Sequence, residues 1–444
     1  MTDARKIGPV LATFVVANNM IGSGFFLLPA TLATQGGVTA LSWLACTVIA
    51  AFLGGAFSRL ARDYPNLESP DDYVRPALGR DMGFLATALY WLSSWIGNNA
   101  IAVAAFGYLV TLLPLDGGNS TVQLFGQLVL IWTMFAINLF GPRGVARFQS
   151  MCVIFGLLPV AAVLLGGWGR FDGELFLSAW NTSGEAWNVG DNGVPNPQSD
   201  LALMFSALAP VFWAFVGLET GAMVAGIVRD PEKNVPRATL AGIGIAGTVY
   251  LVSSVLVMGI VPAQELAASS APFALVAGQI FGAWAVPMIA AAAALKATGT
   301  LGGWMLVSGE SGARAAQRGY LPRIFGVLRP NGAAGWGLFA VALGMSAIAF
   351  ITISDTVASQ FGDIVGMVVL LVVLAYAAAG LSLLLGTPAR RPSGGDRLLG
   401  IGALLACALL IVSSPPKMAA GAALIALLAW GGFRLFGSRT APTP

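Results

Sequence analysis

Apolar residues run through this chain in long windows broken by short polar stretches, without the strict alternation that barrel strands require. The windows lie at roughly 8–33, 38–60, 82–113, 121–141, 147–168, 200–228, 238–262, 275–312, 333–353, 357–386, 397–414 and 418–437. Each approaches the about 20 residues that carry a helix across a bilayer. Backbone with open hydrogen-bonding groups cannot face lipid, so windows of this kind predict an all-α integral membrane protein with twelve transmembrane helices.

An even number of spans returns the chain to the side on which it began. The connections on the N-terminal side hold Arg5, Lys6, Arg59, Arg62, Arg75, Arg80, Arg143, Arg147, Arg229, Lys233, Arg237, Arg314, Arg318, Arg323, Arg329, Arg390, Arg391, Arg397, Arg434 and Arg439, which is all but three of the 23 lysines and arginines. Arg170 and Lys417 fall on the opposite side and Lys296 falls inside span 8. Basic residues favour the cytoplasmic side, so both termini are expected in the cytoplasm. The one long outer connection, 169–199, is rich in Gly, Asn, Pro and Trp.

Composition agrees with this reading. Of 444 residues 57% are hydrophobic and 10% charged, with a mean hydropathy of +0.80, which excludes an ordinary soluble protein. The net charge of +3 reports topology and gives no support to a nucleic-acid partner. Histidine is absent, which removes imidazole bases, Ser-His-Asp triads and His-liganded zinc. Cys46, Cys152 and Cys407 sit in apolar windows at unrelated spacings and read as buried small hydrophobes. No metal or cofactor is expected. The short polar start, Met1 to Lys6, meets span 1 without a small-residue cleavage site, so span 1 is expected to be retained.

Two spans are built to break. Span 1 carries Asn18-Asn19-Met20-Ile21-Gly22-Ser23-Gly24 at its midpoint, and span 6 carries Trp213-Ala214-Phe215-Val216-Gly217-Leu218-Glu219-Thr220. Glycines at that depth weaken helix and free backbone groups, tolerated only where the backbone lines a protected cavity. Close packing of small residues is the alternative for span 1 alone. Breaks in spans 1 and 6 divide the first ten spans into matching halves, the pattern of an inverted-repeat secondary transporter with its site between the broken helices. The expected organisation is a first repeat at 1–168, an outer loop at 169–199, a second repeat at 200–386, and two further helices with a cytoplasmic tail at 387–444. Half-helix N-termini at Ser23 and Gly24 would meet a carboxylate, and carbonyls near Met20 and Val216 an ammonium.

The run Gly22-Ser23-Gly24-Phe25-Phe26-Leu27-Leu28-Pro29 resembles the helix 1 signature of the amino acid, polyamine and organocation transporter superfamily. Tyr90 through Asn98, Trp213 through Glu219, Asn234-Val235-Pro236, and Gly299 through Trp304 are similar to the bacterial arginine/agmatine antiporter branch. The likeness runs from about residue 7 to 435. It implies a multi-pass protein of the bacterial inner membrane, a homodimer, and transport of small amino acids or amines. By this resemblance Trp304 is a middle gate, a guanidinium stacking on its indole. Trp213 is a lid on the periplasmic side of the substrate, and Glu219 joins Tyr90 and Tyr376 in a cytoplasmic-side gate, where protonation would sense pH.

Ser93, Ser94 and Asn98 lie on neighbouring turns of span 3, where carbonyls and the Asn amide can take guanidinium protons; helix-to-helix hydrogen bonding is the alternative. Asn234 to Pro236 reads as a turn ahead of span 7. The sequence also departs from the family. Glu68-Ser69-Pro70-Asp71-Asp72-Tyr73 replaces a Gly-Gly-x-Tyr element, and Val368 stands where a polar substrate contact is usual. Lys296 is an ammonium at membrane depth, which must snorkel, lose its proton or find a counter-charge. Asp363 is the expected partner; the other readings are that Lys296 disfavours dications, binds a second carboxylate, or takes the place of a sodium ion.

The favoured expectation is therefore arginine/agmatine exchange by alternating access, with proton-coupled uptake of another amino acid or polyamine as the alternative. An enzyme would need a nucleophile paired with a base, and no motif pairs one with Glu219. A channel would not need matched mid-span breaks.

Overall fold

The computed structural model describes residues 6–64, 73–189, 193–223, 225–354, 356–387 and 390–436. The predicted inner element at 68–72 and the termini lie outside these residues. Among the described residues the chain is helical, and the only β pairing is three isolated bridges, Ile7 with Val228, Val189 with Pro195, and Thr387 with Arg390. Six helices among the described residues are long and apolar enough to cross a membrane. The chain is a multi-pass membrane protein.

The first half consists of α1 (Pro9–Met20), α2 (Leu28–Ala33), α3 (Thr39–Asp63), α4 (Arg75–Val110), α5 (Ser120–Asn138) and α6 (Pro142–Gly166). The long connection holds the single-turn α7 (Gly173–Ser178), capped by the Asp172 carboxylate, which accepts from the N–H groups of Glu174 and Leu175. Next come α8 (Asp200–Ser206), α9 (Leu208–Trp213), α10 (Thr220–Met223), α11 (Pro231–Met258), α12 (Ala263–Ala267), α13 (Pro272–Phe281), α14 (Ala285–Gln317), α15 (Gly335–Ile351), α16 (Val357–Leu385), α17 (Gly394–Val412) and α18 (Pro416–Phe436).

Helix occupies every apolar window read from the sequence, with differences in its limits. The eighth window holds two helices, because Gly282 at φ +95° turns the chain between α13 and α14. Helix α4 begins before its window, and Gly79 at φ +80° interrupts its first turns. Asn234 to Pro236 lie within the opening turns of α11, which starts at Pro231 after Asp230 at φ 44°, and so do not form a separate turn. Pro236, the sixth residue of α11, lacks the N–H that would otherwise bond back to the Glu232 carbonyl, and the helix continues through it.

The basic ends of the helices gather together. Arg390 Nη1 meets Asp63 Oδ2 at 2.8 Å, Arg390 Nη2 meets Asp396 Oδ2 at 2.9 Å, and Asn331 Nδ2 donates to the Leu139 carbonyl at 2.8 Å. Arg434 pairs with Asp81 at the same end. At the opposite end the 169–199 segment is tied down by Thr182, whose hydroxyl donates to the Ala33 carbonyl, and by Asn188, which donates to Thr34.

Glycines let the central helices approach closely, as bilayer interfaces favour. A methyl on Gly242 of α11 would stand 2.8 Å from Val16 Cγ1, and one on Gly54 of α3 would stand 2.6 Å from Ile243 Cδ1. Helix α4 packs between α14 and α16, while α1 lies along α11. This arrangement surrounds both interrupted helices.

Candidate functional site

The two breaks face each other at the centre of the bundle. Helix α1 stops at Met20; its last carbonyls receive Ile21 and Gly22, and the chain resumes as a 3-10 turn over Ser23–Phe26 before α2. Helix α9 stops at Trp213, and α10 starts at Thr220. Gly217 has φ +106°, a conformation only glycine adopts freely, and a methyl there would stand 2.9 Å from Asn19 Nδ2. The Asn19 amide donates to the Thr220 hydroxyl, so the broken helices are joined at their open ends.

Backbone groups freed by the breaks are satisfied by tyrosines. Tyr250 donates to the Ala214 carbonyl at 2.9 Å and Tyr108 to the Phe26 carbonyl at 2.8 Å, both from fully buried positions. The rings of Phe25, Trp43, Phe215, Tyr250 and Phe273 pack around these bonds, with Phe25 and Tyr250 centroids 4.7 Å apart. They fill the bundle on one side of the breaks.

Between the breaks lies a small cavity of about 50 Å³. Of the predicted residues it brings together Met20, Tyr90, Ser93, Ser94, Asn98, Trp213, Val216, Trp304 and Val368. Gly22 also lines it, and Ser23 and Gly24 begin the 3-10 turn that follows. The serine hydroxyls are engaged within the helix layer: Ser93 donates to the Tyr90 carbonyl at 2.8 Å, and Ser94 to the Trp91 carbonyl at 2.7 Å with Ser308 Oγ at 3.0 Å. Asn98 is different. It is 1% exposed, and neither its amide nitrogen nor its oxygen has a hydrogen-bond partner among the described residues.

Trp213 rests against α4 where Gly97 has no side chain; a methyl there would stand 2.8 Å from the indole. Val368 occupies the same spot from α16, 3.2 Å from that methyl position. The sequence reading missed Thr300, Asn19 and Phe25 as lining residues. All three stand inside the quoted motif blocks, but only the helix rotation shows that they point inward.

Glu219 lies just past the break and is 1% exposed. Tyr90 donates to its Oε1 at 3.0 Å, Tyr376 donates to Oε2, and the Gly217 N–H donates to Oε2 at 3.1 Å. The three predicted gate residues are thus in contact, with Tyr90 reaching both this carboxylate and the cavity wall.

The Lys296 ammonium donates to Asn18 Oδ1 at 3.3 Å, in the last turn of α1. Its stem lies across Gly156 of α6, where a methyl would stand 2.3 Å from Lys296 Cγ. Asp363, the partner expected from the sequence, stands on α16, which packs against α4 as α14 does.

A second, larger cavity of about 360 Å³ lies beyond it, on the side of Glu310 and Arg314. Asn19, Tyr90 and Trp304 line both, so these residues form the partition between them.

Comparison with known proteins decides the family. The amino acid permease family matches residues 7–430. The chain belongs to that family, within the amino acid, polyamine and organocation superfamily. It is 34% identical over 384 residues to the cadaverine/lysine antiporter of Escherichia coli K12, covering 85% of this chain and 82% of the relative. It is 29% identical to the putrescine transporter PotE of the same organism, over 98% of this chain and 97% of the relative. The PotE of Haemophilus influenzae is also 29% identical, over 84% and 82%. This permease is a transporter and not an enzyme.

Proposed function

We propose that this permease exchanges a basic amino acid for its decarboxylated amine across the bacterial inner membrane, by alternating access between two inverted five-helix repeats. Twelve spans with both termini in the cytoplasm complete this reading, with helices α17 and α18 outside the repeats. Lysine and cadaverine are the favoured pair, supported by the activity of the cadaverine/lysine antiporter at 34% identity. Each turn brings in one positive charge and releases two, so it exports one charge. With decarboxylation inside, the cycle consumes protons.

One observation carries the transport reading: a cavity between two broken helices holds a buried Asn98 amide with no partner. Leaving such a group unsatisfied costs about 1–3 kcal/mol, which a bound polar substrate removes. In this reading the substrate carboxylate meets the N–H groups at Ser23 and Gly24, and its α-amine meets carbonyls near Met20 and Val216. The distal cation lies between Trp304 and Asn98. Trp213 lids the site and Glu219 with Tyr90 and Tyr376 gates the inner side.

A second reading, exchange of arginine for agmatine, is favoured by Trp304, whose indole in the cavity wall suits a guanidinium. Counterflow in proteoliposomes tests both. Uptake of labelled lysine should require cadaverine inside, with agmatine a poorer driver. Faster arginine uptake driven by agmatine would reverse that order, and net uptake without internal amine would replace exchange with proton-coupled uptake.

A further inference from the structure

The geometry points to a second amine subsite in the cavity on the arginine-rich side of Trp304, which holds an alkyl diamine with one ammonium on Glu310. This inference rests on the exchange reading and adds a loading position for the outgoing substrate. Glu310 stands six residues beyond Trp304 on α14, about 9 Å along the axis, and both line this cavity. A short alkyl diamine spans a distance of that order.

The wall between the two ends is apolar where a methylene chain would lie. Val307 and Met223 line it from α14 and α10. At the inner end stand the Tyr90 and Trp304 rings, which attract an ammonium, and the Gln149 amide. Gln149 is seated directly on α14: a methyl on Gly303 would stand 2.5 Å from its Nε2. Cationic and apolar portions of a diamine therefore meet matching groups in order.

The outer end carries Glu310 with Arg314 one turn farther out, their charged atoms 3.9 Å apart. Both side chains are partly open, at 40% and 28% exposure. A carboxylate offers about four acceptor positions, so an ammonium joins Arg314 there rather than replacing it. Arg314 repels the same ammonium and sets how tightly it is held. A zwitterionic amino acid, with a negative group at one end, fits this sequence of charges less well than a diamine.

Exchange should be measured with cadaverine presented to this face, in wild type, Glu310→Gln, Glu310→Asp and Arg314→Gln, with pentylamine as the single-ammonium comparison. Losing one charge-assisted contact at a hydrated mouth predicts about a tenfold rise in half-saturating cadaverine for Glu310→Gln, and a smaller rise for pentylamine. Glu310→Asp should recover part of the loss, and Arg314→Gln should lower the half-saturating concentration. An equal shift for both amines, no shift, or a rise in Arg314→Gln overturns the subsite. If wild type exchanges neither amine, the exchange reading fails. Equilibrium binding of cadaverine in detergent then tests the subsite alone, and an affinity unchanged by Glu310→Gln overturns it.

Discussion

Lys296 shows how a single residue is read differently in one dimension and in three. Its depth marked it as exceptional, and the group its ammonium meets is the neutral Asn18 on α1. Lys296 lies one turn before Thr300, which lines the central cavity, so under the proposed function its charge should be felt by a bound substrate from behind the wall. At about 10 Å and an effective dielectric near 20, like charges repel by about 1.7 kcal/mol. Lys296→Met keeps most of the stem that lies over Gly156 while deleting the charge. Its affinity for cadaverine relative to lysine should rise about tenfold. Calorimetry of both ligands checks this, and an unchanged ratio confines Lys296 to holding α1 against α14. Asn98 was legible as a candidate from its place in span 3; its lack of any partner was not, because that depends on which side chains surround it.

At the scale of the element, the broken helices are the feature most open to direct test. Gly217 holds φ +106° beside Asn19, so Gly217→Ala combines an unfavourable backbone conformation with a methyl 2.9 Å from the Asn19 amide. The expected loss is about 1–3 kcal/mol of stability together with impaired transport, read as a lowered melting temperature in detergent. Gly226→Ala is the matched comparison, since a methyl there meets open space and its φ is ordinary; its melting temperature should stay close to wild type. Equal melting for the two variants would mean that the α9–α10 break tolerates a side chain. The breaks were legible because glycines among polar residues, Asn and Ser in span 1 and Glu219 in span 6, are unfavourable in a lipid-spanning helix. The separation of α13 from α14 was not, because both are apolar and only Gly282 marks the turn. The start of α11 was placed late for the opposite reason: its first turns are polar and carry Pro236 inside helix.

For the whole molecule, the arrangement of charge predicts orientation. Arg390 bridges Asp63 and Asp396 at the end where Asn331 also reaches Leu139, so the basic connections form one face. A phosphatase reporter fused to the C-terminus should be inactive and a fluorescent protein fused there should be bright; an active phosphatase would invert the assigned orientation. The chain's own pattern was enough to establish helical spans, their breaks and the segregation of charge, because lipid imposes hydropathy, backbone satisfaction and sidedness residue by residue. Which residues meet across the molecule was decided only by packing. Tyr90 and Tyr376 reach Glu219 from helices far apart in the chain, Tyr250 and Tyr108 satisfy carbonyls freed by the breaks, and Lys296 of α14 meets Asn18 of α1. Those contacts depend on helix rotation and neighbour order, which a local hydrophobic pattern does not encode.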